Sequence, residues 1–177
     1  NIASIGWIPQ TRIFNAITKD LKNLILLPYQ APGKVFRAPM PFGPYDFGRT
    51  TLLEMENIKI DRVITLVEEF EWLEKAGCDL PQKYEQSGLQ MIHYPMPDFG
   101  APLETKEFSA LIQSTLMAVQ AGENIAVHCN AGIGRTGLFL ATLAIERFDW
   151  LPIDAILWTR SFIPGAIGME EQYRFVA

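Results

Sequence analysis

The chain is poor in the residues from which metal sites and covalent staples are built. Only two cysteines and two histidines occur in its 177 residues. They are scattered, with no C-x(2)-C pair, which argues against zinc, and no metal or other cofactor is expected. No apolar run approaches the ~18 residues that a membrane helix needs, so no membrane span is expected. A charged-then-apolar leader is also missing, although an opening Asn1 instead of methionine leaves room for a trimmed one. Internal repeats and low-complexity tracts are absent. Basic excess is lacking too: 15 basic against 20 acidic residues give a net charge of -5, and no nucleic-acid partner is expected. So few cysteines favour a reducing compartment, which makes a cytoplasmic location the expectation. What remains is ordinary: at 49% hydrophobic and 20% charged, residues 1–177 read as one globular domain with a single good core.

Short β-branched segments bounded by turn residues predict strands near Lys34 to Arg37, Asp61 to Val67, Leu89 to Tyr94 and Asn124 to His128. Helical patterns alternate with them at Leu52 to Asn57, Trp72 to Gly77, Pro81 to Ser87, Glu104 to Ala121, Arg135 to Phe148, Ile153 to Arg160 and Met169 to Val176. The fold class expected from this alternation is α/β, a mostly parallel central sheet with helices on both faces. Functional loops then belong at the C-terminal ends of the strands. Residues 34–177 form the expected core, and the segment 1–33 carries no motif with an assignable role.

The densest chemistry lies in I-A-V-H-C-N-A-G-I-G-R-T-G, Ile125 to Gly137. A buried strand runs into Cys129 and a helix follows, so Cys129 to Gly134 must turn sharply, and Gly132 and Gly134 permit it. Backbone N–H groups of Asn130, Ala131, Gly132, Ile133 and Gly134 would point inward, and the helix N-terminus adds its dipole, so an oxyanion is held without a metal. Arg135 supplies a planar fork that matches two phosphoryl oxygens. Cys129 beside an arginine and a helix N-terminus is the setting of a reactive thiolate. A Walker-type nucleotide loop is excluded by the lack of a G-K-[ST] ending. Cys78 reads as a bystander.

H-C-N-A-G-I-G-R-T, His128 to Thr136, resembles the H-C-x(2)-G-x(2)-R-[ST] signature of the cysteine-dependent protein tyrosine phosphatase superfamily. The segment H-Y-P-M-P-D-F-G-A-P, His93 to Pro102, is similar to the P-D-x-G-x-P loop of dual-specificity and kinase-associated phosphatases. The resemblance implies a phosphomonoester hydrolase of that fold. Cys129 would be the nucleophile, Arg135 and the loop amides the phosphate grip, and Asp98 the general acid. Thr136 would stabilise the departing thiolate. Asp46, in Tyr45 to Gly48, competes for the acid's role but lies upstream of the first half of the sheet pattern and lacks the strand before it. Neither D-F-G indicates a protein kinase, because no glycine-rich loop or H-R-D accompanies it. His128 is expected to hydrogen-bond near the loop or to be plainly structural, not to act as a base.

Arg160 to Val176 resembles the R-x(2)-R-P-G-A-I-x-T-x(2)-Q region of kinase-associated and cell-division-cycle phosphatases, with two departures. Ile163 stands where those relatives carry a second arginine, and Gly168 where tyrosine-specific ones place a water-orienting glutamine. Gln172 survives, with helix surface or scaffold as its expected place. A dianionic substrate would be repelled by the average surface, so attraction must be local. Arg12, Lys19, Lys22, Lys34 and Arg37 could supply a basic rim if their segment packs near Cys129, or form a solvated face elsewhere. Phosphotyrosine proteins are the expected substrates, with phosphoserine and phosphothreonine ones as an extension of the same reading. The alternative is an inositol polyphosphate, as for the bacterial tyrosine-phosphatase-like phytases whose H-C-x-A-G-x-G-R-T loop this chain also matches. A phosphate-binding module without catalysis is the third reading.

Overall fold

A computed structural model describes residues 19–177; Arg12, with the rest of residues 1–18, lies outside the described residues. Five strands, β1 (Ile25–Leu27), β2 (Val35–Ala38), β3 (Arg62–Thr65), β4 (Gln90–His93) and β5 (Ile125–His128), form one sheet in the order β1-β2-β5-β3-β4. β2, β5, β3 and β4 are parallel. β1 is antiparallel to β2, pairing Leu26 with Phe36, and is the one strand that the sequence pattern does not announce. The middles of the central strands are apolar because both of their faces are covered: Val35, Phe36, Val63, Ile64, Ala126 and Val127 are fully buried.

The helices are α1 (Thr51–Asn57), α2 (Glu69–Glu71) running into a π-helical turn at Trp72–Ala76, α3 (Leu80–Gln86), α4 (Thr105–Gln120), α5 (Gly134–Phe148), α6 (Pro152–Phe162) and α7 (Glu170–Val176). Crossovers from β2 to β3 and from β3 to β4 step one way along the sheet, and the crossover from β4 to β5 steps back. Right-handed connections therefore place α1 and α3 on one face and α4 on the other. α5 packs against α4, α6 and α7. Gly137 lets α5 approach the segment between α6 and α7, since a Cβ there would come within 2.6 Å of Ala166 Cβ. Among the described residues no helix is long and apolar enough to cross a membrane.

Ala38 on β2 and Thr65 on β3 both lie level with His128 on β5. The segments leaving β2, β3 and β5 thus emerge together at the carboxyl edge of the sheet, where α/β sheets place their sites. Lys34 precedes β2 and sits at the opposite edge, so it adds nothing to a basic rim around Cys129.

Phe139 of α5 is fully buried and meets Phe108 of α4 edge to face, with ring centroids 5.8 Å apart. Phe139→Ala is expected to lower unfolding free energy in urea by about 3–5 kcal/mol. A loss below about 1 kcal/mol would contradict this packing.

Candidate active site

β5 ends at His128, and the next five residues turn into α5. All five carbonyls of Cys129 to Ile133 are held from outside the turn. Cys129 O accepts from His128 Nδ1 (3.0 Å), Asn130 O from the Met40 amide (3.0 Å), Ala131 O from Arg37 Nη2 (2.9 Å), Gly132 O from Arg37 Nε (2.9 Å) and Ile133 O from the Gly137 amide (2.9 Å). In a trans peptide the carbonyl and the following N–H point in opposite directions. Tethering these carbonyls outward therefore aims the amides of Asn130, Ala131, Gly132, Ile133 and Gly134 into the turn. Among the described residues none of those amides donates to another protein group. Gly132 has φ 70, and a Cβ there would lie 2.2 Å from Ala38 O, so glycine is required.

His128 is fully buried with both ring nitrogens occupied. Nδ1 must donate, because its partner is a carbonyl, so Nε2 is the acceptor facing the hydroxyls of Tyr84 (2.8 Å) and Thr65 (3.0 Å). Burial, followed by the Arg135 charge, holds its pKa down at about 4 despite the bond to Cys129 O. The ring is neutral and locked in one tautomer.

Cys129 opens the turn with 4% of its surface exposed. Arg135 lies in the first turn of α5, also buried. Its Nη1 donates to Glu71 Oε2 (2.6 Å) and Met96 O (3.0 Å), and its Nη2 to Glu71 Oε1 (2.9 Å) and Asp98 Oδ1 (2.9 Å). Burial alone would raise the Glu71 carboxyl, but bonds from Arg135, the Glu68 amide and Lys75 overcome it and hold the pKa at about 2. For Arg135, burial would lower the pKa, and Glu71, Cys129 and Asp98 together raise it.

Lys75 closes a ring of alternating charge, 3.0 Å from Glu71 Oε1 and 3.5 Å from Asp98 Oδ2. Glu71 and Lys75, four residues apart, share one side of the helical stretch that runs into the π-helical turn, itself closed by the bond from the Gly77 amide to Trp72 O. Glu71 lies in the acidic run from Glu68 to Glu74, and the sequence alone assigns it no role. Its only signal was the need of a buried guanidinium for a carboxylate.

Asp98 is brought to Arg135, with 38% of its side chain exposed. Its loop is held by the Met96 amide on Leu66 O (3.0 Å), by Arg135 on Met96 O, and by Gln172 Nε2 on Gly100 O (3.2 Å). Gln172 is thus a buried scaffold residue and not helix surface. Asp46 stands apart from this group. Its carboxylate accepts from the Phe42 amide (2.7 Å), the Thr51 amide (3.0 Å), Thr51 Oγ1 (2.6 Å) and Asn23 Nδ2 (3.2 Å), a structural knot at the start of α1. Thr136 is buried, with its hydroxyl unpartnered among the described residues. Ile163, which departs from the second arginine of the resembling relatives, belongs to the core. Arg37 reaches the turn from behind instead of forming a rim. Cys78 is a free, half-buried thiol whose pKa burial raises.

Known proteins similar to this chain in sequence or fold are phosphatases. A family model described as "Tc-R-P: Polymorphic toxin system, DSP-PTPase phosphatase" matches residues 48–148, more than half of the chain. Human tyrosine-protein phosphatase non-receptor type 18 is 31% identical over 104 residues, covering 54% of this chain and 23% of the relative. The dual specificity protein phosphatase CDC14AB of Danio rerio is 36% identical over 70 residues, covering 39% and 10%. The chain thus spans less than a quarter of the length of these curated relatives. A crystal structure of kinase associated phosphatase, with its catalytic-site cysteine substituted by serine, superposes with a TM-score of 0.79 at 19% identity. It covers 89% of this chain and 93% of that one, a likeness of fold. With the turn, Glu71 and Asp98 all inside the matched span, the chain belongs to the DSP-PTPase phosphatase family of polymorphic toxin systems.

Proposed function

We propose that the chain hydrolyses phosphomonoesters through a cysteinyl-phosphate on Cys129, with phosphotyrosine proteins as the preferred substrates. The observation that carries this reading is the row of inward amides between Cys129 and Arg135, each set by a tethered carbonyl. Such a cradle, with a helix N-terminus and a guanidinium at its rim, suits the three equatorial oxygens of a phosphoryl group in transfer.

In the first step the Cys129 thiolate attacks phosphorus in line. The bond from phosphorus to the leaving oxygen breaks, and Asp98 gives that oxygen its proton. In the second step Asp98 takes a proton from water, whose oxygen attacks the same phosphorus. The sulfur–phosphorus bond breaks, and inorganic phosphate leaves with the thiolate restored. The unpartnered Thr136 hydroxyl serves the leaving thiolate as a donor. Glu71 does no bond-making; it orients Arg135 and keeps its charge in place. His128, neutral near pH 7, braces Cys129 O.

An aryl ester is favoured by Phe99, which follows Asp98 directly with φ 61 and 66% of its surface exposed. Aromatic surface beside the acid suits an aromatic leaving group. Lys75, 3.5 Å from Asp98, is the observation in favour of the second reading, an inositol polyphosphate. Against it, Asn130, Ala131 and Ile133 bring no charge to the turn itself. One solved neighbour is titled PTPMT1 in complex with PI(5)P, at 22% identity a likeness of fold.

Phosphate release from a phosphotyrosine peptide, a phosphothreonine peptide and inositol hexakisphosphate tests these readings, with Cys129→Ser as the inactive control. Release chiefly from the phosphotyrosine peptide is expected. A preference for the inositol ester would overturn the substrate assignment, and no release by the unaltered chain would favour a binding module. Asp98→Ala should lower kcat by about 100-fold or more, the usual span of general acid catalysis, while Asp46→Ala should act through stability. The reverse ranking would reassign the acid.

Glu71→Gln should cost about 3–5 kcal/mol of stability at neutral pH, because one carboxylate of a buried pair is lost. Since the folded pKa of Glu71 lies below its usual 4.5, at about 2, its contribution is fully present above pH 4.5 and fades as pH falls towards 2. Urea unfolding of both proteins between pH 3 and 7 should show their difference shrinking on the acid side.

A further inference from the structure

We infer that Arg37 is a positioning residue that sets the peptide planes at the centre of the phosphate cradle. The inference rests on the phosphatase reading only for the nature of the anion. Of the five outward carbonyls, those of Cys129, Asn130 and Ile133 are held by the turn's immediate neighbour His128, by the Met40 amide and by α5 itself. The middle two depend on a single side chain from another strand. Arg37 Nη2 takes Ala131 O and Nε takes Gly132 O, both at 2.9 Å. By the geometry of the trans peptide, these two bonds decide where the amides of Gly132 and Ile133 point.

Arg37 is itself fixed. Nη1 donates to Asn23 O at 2.8 Å. Asn23 is buried and held by Glu54 on its amide (3.0 Å) and by Thr50 Oγ1 (2.9 Å), Phe47 O (3.0 Å) and Asp46 Oδ1 (3.2 Å) on its side chain. The knot around Asp46 therefore has a use: it anchors the far end of the guanidinium. All three guanidinium nitrogens are spent on carbonyls, none on a carboxylate, so the cation behind the cradle is not neutralised by contact. Gly132 packs directly on this support, a Cβ there lying 3.0 Å from Arg37 Nε.

Lysine cannot replace this arrangement. One ammonium can keep the charge, but it has no rigid fork to span two successive carbonyls and a third behind them. Arg37→Lys thus separates the charge from the geometry.

The test measures oxyanion affinity apart from chemistry, by calorimetric titration of tungstate into Cys129→Ser proteins. Against the Cys129→Ser parent, both Cys129→Ser/Arg37→Met and Cys129→Ser/Arg37→Lys should bind tungstate about ten-fold or more weakly, as expected when charge-assisted bonds that hold binding groups are lost. The melting temperature of the lysine variant should stay close to that of the parent, which a purely structural role would not combine with lost affinity. If Arg37→Met fails to fold, the lysine variant decides. Tungstate affinity in Arg37→Lys equal to that of the parent would overturn the inference, as would a parent that binds no tungstate at millimolar concentration. A parent that binds tungstate and loses it with Arg37→Lys supports the inference even if the unaltered chain hydrolyses no phosphomonoester. That last result would sink the phosphatase reading alone.

Discussion

The outward anchoring of five consecutive carbonyls, Cys129 to Ile133, is the constraint on which the rest of the site depends. A backbone turn of this kind carries as many acceptors as donors, and left to itself it would present a mixed surface to an anion. Sorting the two onto opposite sides requires a donor at the right place behind every carbonyl. β2 supplies two of these from Arg37 and one from the segment that follows it, and α5 supplies another from its first turn. The register that sets Ala38 level with His128 is what brings β2 within reach. Sheet order, not the loop alone, thus makes the cradle.

Arg135 links the cradle to the loop that carries Asp98. A buried guanidinium is tolerated only when its donors are met, and Glu71, Met96 O and Asp98 meet them. The same bonds dock the Asp98 loop against α5, while Gln172 holds its far end through Gly100 O. Positioning of the acid and satisfaction of the arginine are one event, so packing around Arg135 also determines the reach of Asp98.

The sequence made the cradle legible because its elements are contiguous: Cys129, the two glycines and Arg135 lie within seven residues between a strand and a helix. Asp98 was legible through the prolines and glycine around it. The parallel core strands were readable as short β-branched segments between turn residues, whereas β1 was not, since three residues of Ile25–Leu27 are too few to show a period. Glu71, Lys75 and Arg37 stayed hidden for a different reason. Each meets a partner across 20 residues or more of chain, and each sits in a local pattern that reads as charged surface or as an ordinary strand. Asp46 looked like a rival acid because D-F-G occurs twice, and only its partners show it to be a knot. Gln172 is hidden in the same way, since a short helix with charged neighbours masks one buried face.

Glu71 and Lys75 stand four residues apart, the spacing that keeps two side chains on one face of a helix and lets both attend to the same guanidinium and acid. What matters is length more than composition. Side chains at Leu73 and Glu74 between them are exposed to solvent. Inserting a single residue between Glu71 and Lys75 would set them five apart and, in regular winding, turn Lys75 about 100° further around the axis, away from Asp98. Here evolution is free to rewrite letters but not to change their number.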